Sequence, residues 1–139
     1  MHKVYSATSK DEINFITEPG ARFEAKQLTD PEVIFYKNQW YLYYSVGTES
    51  KLATSTDGLT FKEQQITGGE VGGVPGALIT SDGGVRLFGC GKGLSTALSP
   101  DGINFKKEQE NIIDMACDPA AVKSAQGGYA MVYKIRGKK

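Results

Sequence analysis

Three dipeptides define the chemistry open to this chain. Asp30-Pro31, Val74-Pro75 and Asp118-Pro119 stand 44 and 44 residues apart. Proline lacks a backbone N–H, so within a sheet it suits the first residue of a strand. Two of the three dipeptides therefore set a carboxylate at a strand start, at equivalent places in a repeat. Carboxylates that converge on a partly desolvated opening have their pKa values pushed apart. Acid–base hydrolysis needs such a pair, one group holding a proton and one ionised. Glu70 and Glu32 are further acids near those strand starts, Glu70 in the loop before one of them and Glu32 two residues into its strand. Lys92 and Arg136 fall in loops expected at the same end and supply cations for a polar ligand. The competing role for Asp30 and Asp118 is structural, as caps that accept hydrogen bonds from loop amides. The single histidine, His2, lies near the terminus, which argues against a histidine-centred triad or zinc site. No metal and no cofactor are expected.

A second repeat runs in phase with the first. Tyr5-Ser-Ala-Thr-Ser-Lys-Asp-Glu-Ile-Asn-Phe15, Lys51-Leu-Ala-Thr-Ser-Thr-Asp-Gly-Leu-Thr-Phe61 and Ser95-Thr-Ala-Leu-Ser-Pro-Asp-Gly-Ile-Asn-Phe105 each read as a short strand, a turn on aspartate and an aromatic opening the next strand. Their aspartates, Asp11, Asp57 and Asp101, are 46 and 44 residues apart and read as turn residues. After each proline comes a turn and a return strand: Trp40 to Ser45, Val85 to Gly89, Tyr129 to Tyr133. Read without gaps, Tyr41, Val85 and Tyr129 are equivalent, each ten residues after its proline. One unit is thus four short antiparallel strands, A to D, with A beginning at the proline. A period near 44 residues in a β-rich chain without helical periodicity predicts an all-β propeller of four-stranded blades. Strands C and D of a split blade occupy residues 1–26, full blades about 27–68 and 69–112, and strands A and B of another split blade 113–139. Phe15, Phe61 and Phe105 are expected between blades, and the aromatic run Trp40–Tyr44 is read as inter-blade packing.

The 139 residues carry a formal net charge of zero, with 40% hydrophobic and 23% charged residues. Balanced charge gives no footprint for nucleic acid or an anionic membrane surface. No run of the sequence approaches a signal peptide or a membrane span. Cys90 and Cys117 are not at metal spacing and read as free, partly buried thiols of a reducing, cytoplasmic compartment.

Asp-Pro-x-Val, an aromatic return strand ending Tyr43-Tyr44-Ser45, then Ala53-Thr54-Ser55-x-Asp57-Gly58-x-x-Phe61 resembles the blades of five-bladed propeller glycoside hydrolases, families 43 and 32 and their relatives. The turn also resembles the Asp-box of sialidase-type propellers but lacks the residue between Asp and Gly. The first resemblance implies a carbohydrate substrate and three carboxylates around the propeller axis. Asp30 matches the base or nucleophile and Asp118 the aspartate that orients it or tunes its pKa. No glutamate matches the proton donor closely, and Glu70 is the best placed. Val74 departs from the pattern. The alternatives to a hydrolase are a binding module that uses the same axial pocket for a carbohydrate or small polar ligand, and a structural half-propeller.

Half a blade, two blades and half a blade make three, too few for a closed ring. A homodimer in which the A–B pair of one chain accepts the C–D pair of the other closes six blades with two identical seams. A fragment of a longer five-bladed protein is the alternative.

Overall fold

The computed structural model describes residues 1–135 and 137, and every regular element among them is a strand. At the N-terminus, β1 (His2–Val4) pairs with β4 (Phe23–Ala25), and β2 (Ala7–Thr8) with β3 (Ile16–Thr17), giving one interrupted hairpin. A first sheet follows, β5 (Leu28–Tyr36), β6 (Gln39–Val46), β7 (Glu49–Ser55) and β8 (Lys62–Gln64), paired antiparallel in that order. The second sheet repeats the meander with β9 (Gly73–Ile79), β10 (Val85–Cys90), β11 (Gly93–Ser99) and β12 (Lys106–Asp114). A C-terminal hairpin, β13 (Ala116–Lys123) and β14 (Tyr129–Ile135), repeats its first two strands. The fold is all-β, and its four-stranded sheets have the form of propeller blades.

Side-chain alternation along β6 explains how the sheets stack. Tyr41 and Tyr43 face the second sheet and join a core with Leu52, Val71, Ala77, Val85, Leu87 and Phe105. Leu42 and Tyr44 face the other way, onto Val4 and Phe23 of the N-terminal hairpin. A third cluster of Cys90, Leu94, Ala116 and Cys117 joins the second sheet to the C-terminal hairpin. Each sheet is therefore apolar on both faces, as a blade between two neighbours must be.

The aspartate turns are built alike. In the middle copy Ser55 Oγ donates to Asp57 Oδ1 at 2.8 Å, and the same oxygen accepts from Leu59 N at 2.8 Å and Thr60 N at 2.9 Å. Asp11 and Asp101 accept the same set, with Asn14 and Asn104 adding a side-chain bond. The Thr60 and Leu59 amides hold Asp57 down at about 2, and the Asn14 and Asn104 amides hold Asp11 and Asp101 well below the usual carboxylate range. The folded pKa values are depressed, so this stabilisation is present above the unfolded value of about 3.9 and lost as pH falls through the folded ones. The melting temperature is expected to hold from neutral pH to about 5 and to fall steeply below about 4. Asp101→Ala should flatten that fall and cost about 1–2 kcal/mol at neutral pH, after allowance for partial exposure. An acid profile unchanged by the substitution would contradict the role given to these turns.

Four sequence expectations need correction. Strand A does not begin at the proline: β5, β9 and β13 start two or three residues earlier, and each dipeptide instead sits where its pairing register shifts. Proline is tolerated there because a bulge leaves a residue unpaired. The gapless alignment also fails. Trp40 pairs with Ser55 as Val85 does with Ser99, so Trp40 and not Tyr41 is the counterpart of Val85. Tyr36 pairs with Gln39 across the two-residue turn Lys37-Asn38, whereas Thr80 closes on Gly84 over one residue more. The following turn differs by one residue in the opposite sense, Val46 pairing with Glu49 but Gly91 closing on Gly93. The two differences cancel, which is why the spacing of the prolines and aspartates conceals them.

Of the three phenylalanines, Phe105 is buried at 7% exposure and Phe61 is half-buried, but Phe15 is 63% exposed. Phe105 packs edge-on against Tyr43 of the preceding sheet. Among the described residues no sheet precedes the hairpin that carries Phe15. Lastly, Cys90 and Cys117 are not free: they form a disulfide with Cα atoms 5.1 Å apart. The reducing-compartment reading thereby loses the thiols on which it rested.

Candidate carboxylate site on the innermost strands

Asp30, Val74 and Asp118 have one backbone shape, with φ of 51°, 52° and 53°. Aspartate tolerates this left-handed region; for a β-branched valine it is an outlier costing on the order of 1–3 kcal/mol. The strain at Val74 is held by its surroundings. Its N–H donates to Ser45 Oγ at 2.6 Å, and Ser50 Oγ donates to Gly72 O at 2.6 Å just before it. The bulge is thus imposed by the sheet packing, and the side chain placed on it is free to vary. Two of the three copies use that freedom for a carboxylate.

Asp30 is exposed, and Thr29 Oγ1 donates to its Oδ2 at 2.7 Å. Asp118 is exposed and ion-paired with Lys134 on β14. The residue before it, Cys117, carries the disulfide to Cys90, so the start of β13 is tied covalently to the end of β10.

Glu32 follows Pro31, where the other copies have Gly76 and Ala120. A Cβ on Gly76 would lie 2.4 Å from the Pro119 carbonyl oxygen, so the innermost strands of successive units touch at backbone distance. In the first unit that position holds a half-buried acid beside β9. Burial pushes the Glu32 carboxyl up, and a backbone hydrogen bond from Ala77 only partly offsets this.

Glu70 and Lys92 lie beside the start of β9, on the turns before Gly73 and after its partner Cys90. Both are exposed, and both line a groove of about 250 Å³ that also includes Ser95, Lys107 and Asn111. Glu70 further borders a groove of about 710 Å³ with Lys51 and Glu63. Asp30, Glu32 and Asp118 line neither of these grooves. The structure thus places Glu70 and Lys92 on one groove, and the two aspartates and Glu32 on β5 and β13. Arg136 lies outside the described residues.

Sequence reasoning missed Lys134 as the partner of Asp118. Thr29 pairs with Ser45, Gly73 with Cys90 and Cys117 with Lys134, so a lysine stands beside the bulge in one copy only. The gapless alignment concealed this, because it displaced the return strand of one copy by a residue.

No protein-family description and no curated protein matches the sequence. Solved structures that share the fold include a thermostable family-43 glycoside hydrolase, with a TM-score of 0.65 at 14% identity over 77% of this chain and 41% of that one. Another is a novel α-L-arabinofuranosidase from Clostridium thermocellum, with a TM-score of 0.62 at 16% identity over 93% of this chain and 56% of that one. This chain thus spans roughly half the length of either protein, and at such identity the likeness is one of fold: its sheets stack as those of family-43-like five-bladed propellers do.

Proposed function

We propose that this chain acts on a carbohydrate at the end of the propeller axis where the innermost strands begin, as a glycoside hydrolase. The observation that carries the reading is the shared bulge: Asp30 and Asp118 stand on one backbone shape, with Glu32 half-buried two residues from Asp30. The fold shared with family-43 glycoside hydrolases supports it. Asp30 acts as base or nucleophile and Asp118 as its tuning partner. Glu32 takes the proton-donor role ahead of Glu70, because a general acid needs a carboxyl whose pKa is raised, and Glu32 is the half-buried one. Lys134 orients Asp118 through their ion pair.

Hydrolysis of an aryl-glycoside panel tests this. Asp30→Asn and Asp118→Asn are each expected to lower kcat/KM by about 10²-fold or more. A general acid must be protonated, so activity should fall as pH rises through the raised pKa of Glu32, and Glu32→Gln should remove that basic limb. If the wild-type protein cleaves nothing in the panel, the hydrolase reading is wrong. The Lys134–Asp118 ion pair favours a second reading, a non-catalytic module that hydrogen-bonds sugar hydroxyls through both charges. Sugar binding without turnover, lost in Asp118→Asn, would establish it.

A further inference from the structure

Successive units are clasped at equivalent positions by different chemistry. Thr29 pairs with Ser45 in the first sheet and Gly73 with Cys90 in the second, so Ser45 and Cys90 are counterparts near the ends of β6 and β10. Gly73 and Cys117 are counterparts too, each preceding a bulge residue, Val74 and Asp118. Between the second sheet and the C-terminal hairpin, Cys90 and Cys117 are joined by the disulfide.

Between the first and second sheets, Ser45 takes the place of that cysteine. It is buried, its Oγ accepts the Val74 N–H at 2.6 Å, and a Cβ placed on Gly73 would lie 3.5 Å from the same oxygen. The neighbouring pair changes in the same sense. Ser45 pairs with Ser50, whose Oγ donates to Gly72 O at 2.6 Å. Cys90 pairs with Leu94, which packs in one cluster with Ala116, the counterpart of Gly72. A hydrogen-bonded clasp at one interface is thus an apolar and covalent clasp at the next.

The two clasps lie in series between the aspartates. Asp30 is on β5, which pairs with β6, and Ser45 of β6 holds the bulge of β9. In turn β9 pairs with β10, and Cys90 of β10 holds β13 at the residue before Asp118. We infer that Ser45 is a positioning residue of the carboxylate site. Its hydroxyl fixes β9 against β6, and with it the placement of Asp118 relative to Asp30, as the disulfide fixes β13 against β10. Without that hydroxyl the Val74 N–H loses its acceptor on a backbone already strained, and β9 shifts to relieve both. A displacement of about 1 Å at a reacting centre costs about 10²-fold in rate. That catalytic consequence rests on the carbohydrate reading above; the clasp itself does not.

Two variants of the full chain test the inference. Ser45→Ala removes the hydroxyl, and the double variant Ser45→Cys/Gly73→Cys copies the covalent clasp of the next interface. In isotopically labelled protein without sugar, Ser45→Ala should move the Val74 amide proton upfield and also shift the Asp118 amide, one sheet further on. A merely structural hydroxyl would move Val74 and leave Asp118 in place. In the aryl-glycoside assay kcat should fall about 10²-fold with KM changed less than about threefold. The double variant should form a second intrachain disulfide, leaving no thiol open to alkylation, and return both the Asp118 shift and kcat to near wild type. If Ser45→Ala does not fold, the double variant decides by its cross-link and its Asp118 shift. An Asp118 amide unmoved in Ser45→Ala, or a double variant that keeps free thiols, overturns the positioning role whatever the protein does to sugars. A wild type inactive on every glycoside, with both amide shifts and the cross-link as expected, overturns the hydrolase reading and supports the clasp.

Discussion

Replacing Tyr43 with alanine is expected to lower the unfolding free energy by about 3–5 kcal/mol. Tyr43 is fully buried and joins the two four-stranded sheets in two ways. Its ring meets Phe105 edge-on at 6.2 Å and stacks on Tyr41 at 6.4 Å. Its hydroxyl donates to the Gly102 carbonyl at 2.7 Å, in the aspartate turn of the second sheet. Tyr43→Phe keeps the ring and strands that buried carbonyl, at a cost of about 1–3 kcal/mol. Burial pushes the Tyr43 hydroxyl far above its ordinary range, so neither effect should vary between pH 6 and 9. Urea unfolding of the two variants measures both numbers. A loss below about 1 kcal/mol for the alanine variant would mean that the ring does not bridge the sheets.

The second large effect concerns the disulfide. Reduction of Cys90–Cys117 is expected to destabilise the fold by about 2–4 kcal/mol, because the bond closes a loop across 27 residues of sequence and both partners are buried. The position of the bond adds a functional consequence. It ties the end of β10 to the residue before Asp118, so reduction frees the start of β13 and loosens the Lys134–Asp118 ion pair. Melting with and without reductant, beside the double variant Cys90→Ala/Cys117→Ala, gives the comparison. The reduced protein and the double variant should melt together and below the oxidised protein. Equal melting of oxidised and reduced protein would contradict the staple.

The repeat was readable because the features that specify it are short and chemically constrained. An aspartate that collects three turn donors and a proline at a bulge tolerate few substitutes, so Asp57 and Pro75 announce themselves in sequence. Register was not readable to the residue. Lys37-Asn38 makes a tight turn where Ser81-Asp82-Gly83 makes a longer one, and compensating loop lengths leave no trace in the spacing of the markers. Phe15 is exposed because a repeat predicts the environment of a residue only where the neighbouring unit is among the described residues. The disulfide was missed because Cys90 and Cys117 occupy non-equivalent positions of the repeat: Cys90 lies opposite Gly73 in its own sheet and meets Cys117 only across an interface between units. At the site, the bulge aspartates were legible from Asp-Pro. Glu32 had a signal, an acid where the other copies have glycine and alanine, but its desolvation arises from strand contact. Lys134 became visible only once the return strands were aligned with the correct turn lengths.

The location of the carbohydrate site is open to direct measurement by amide chemical-shift mapping on isotopically labelled protein titrated with a panel of monosaccharides. Shifts concentrated at residues 29–33, 73–77 and 117–121, with Lys134, and abolished together by Asp30→Asn and Asp118→Asn, are the expected result. Shifts centred instead on Glu70, Lys92 and Asn111, or none with any sugar of the panel, would contradict a carbohydrate site on the innermost strands.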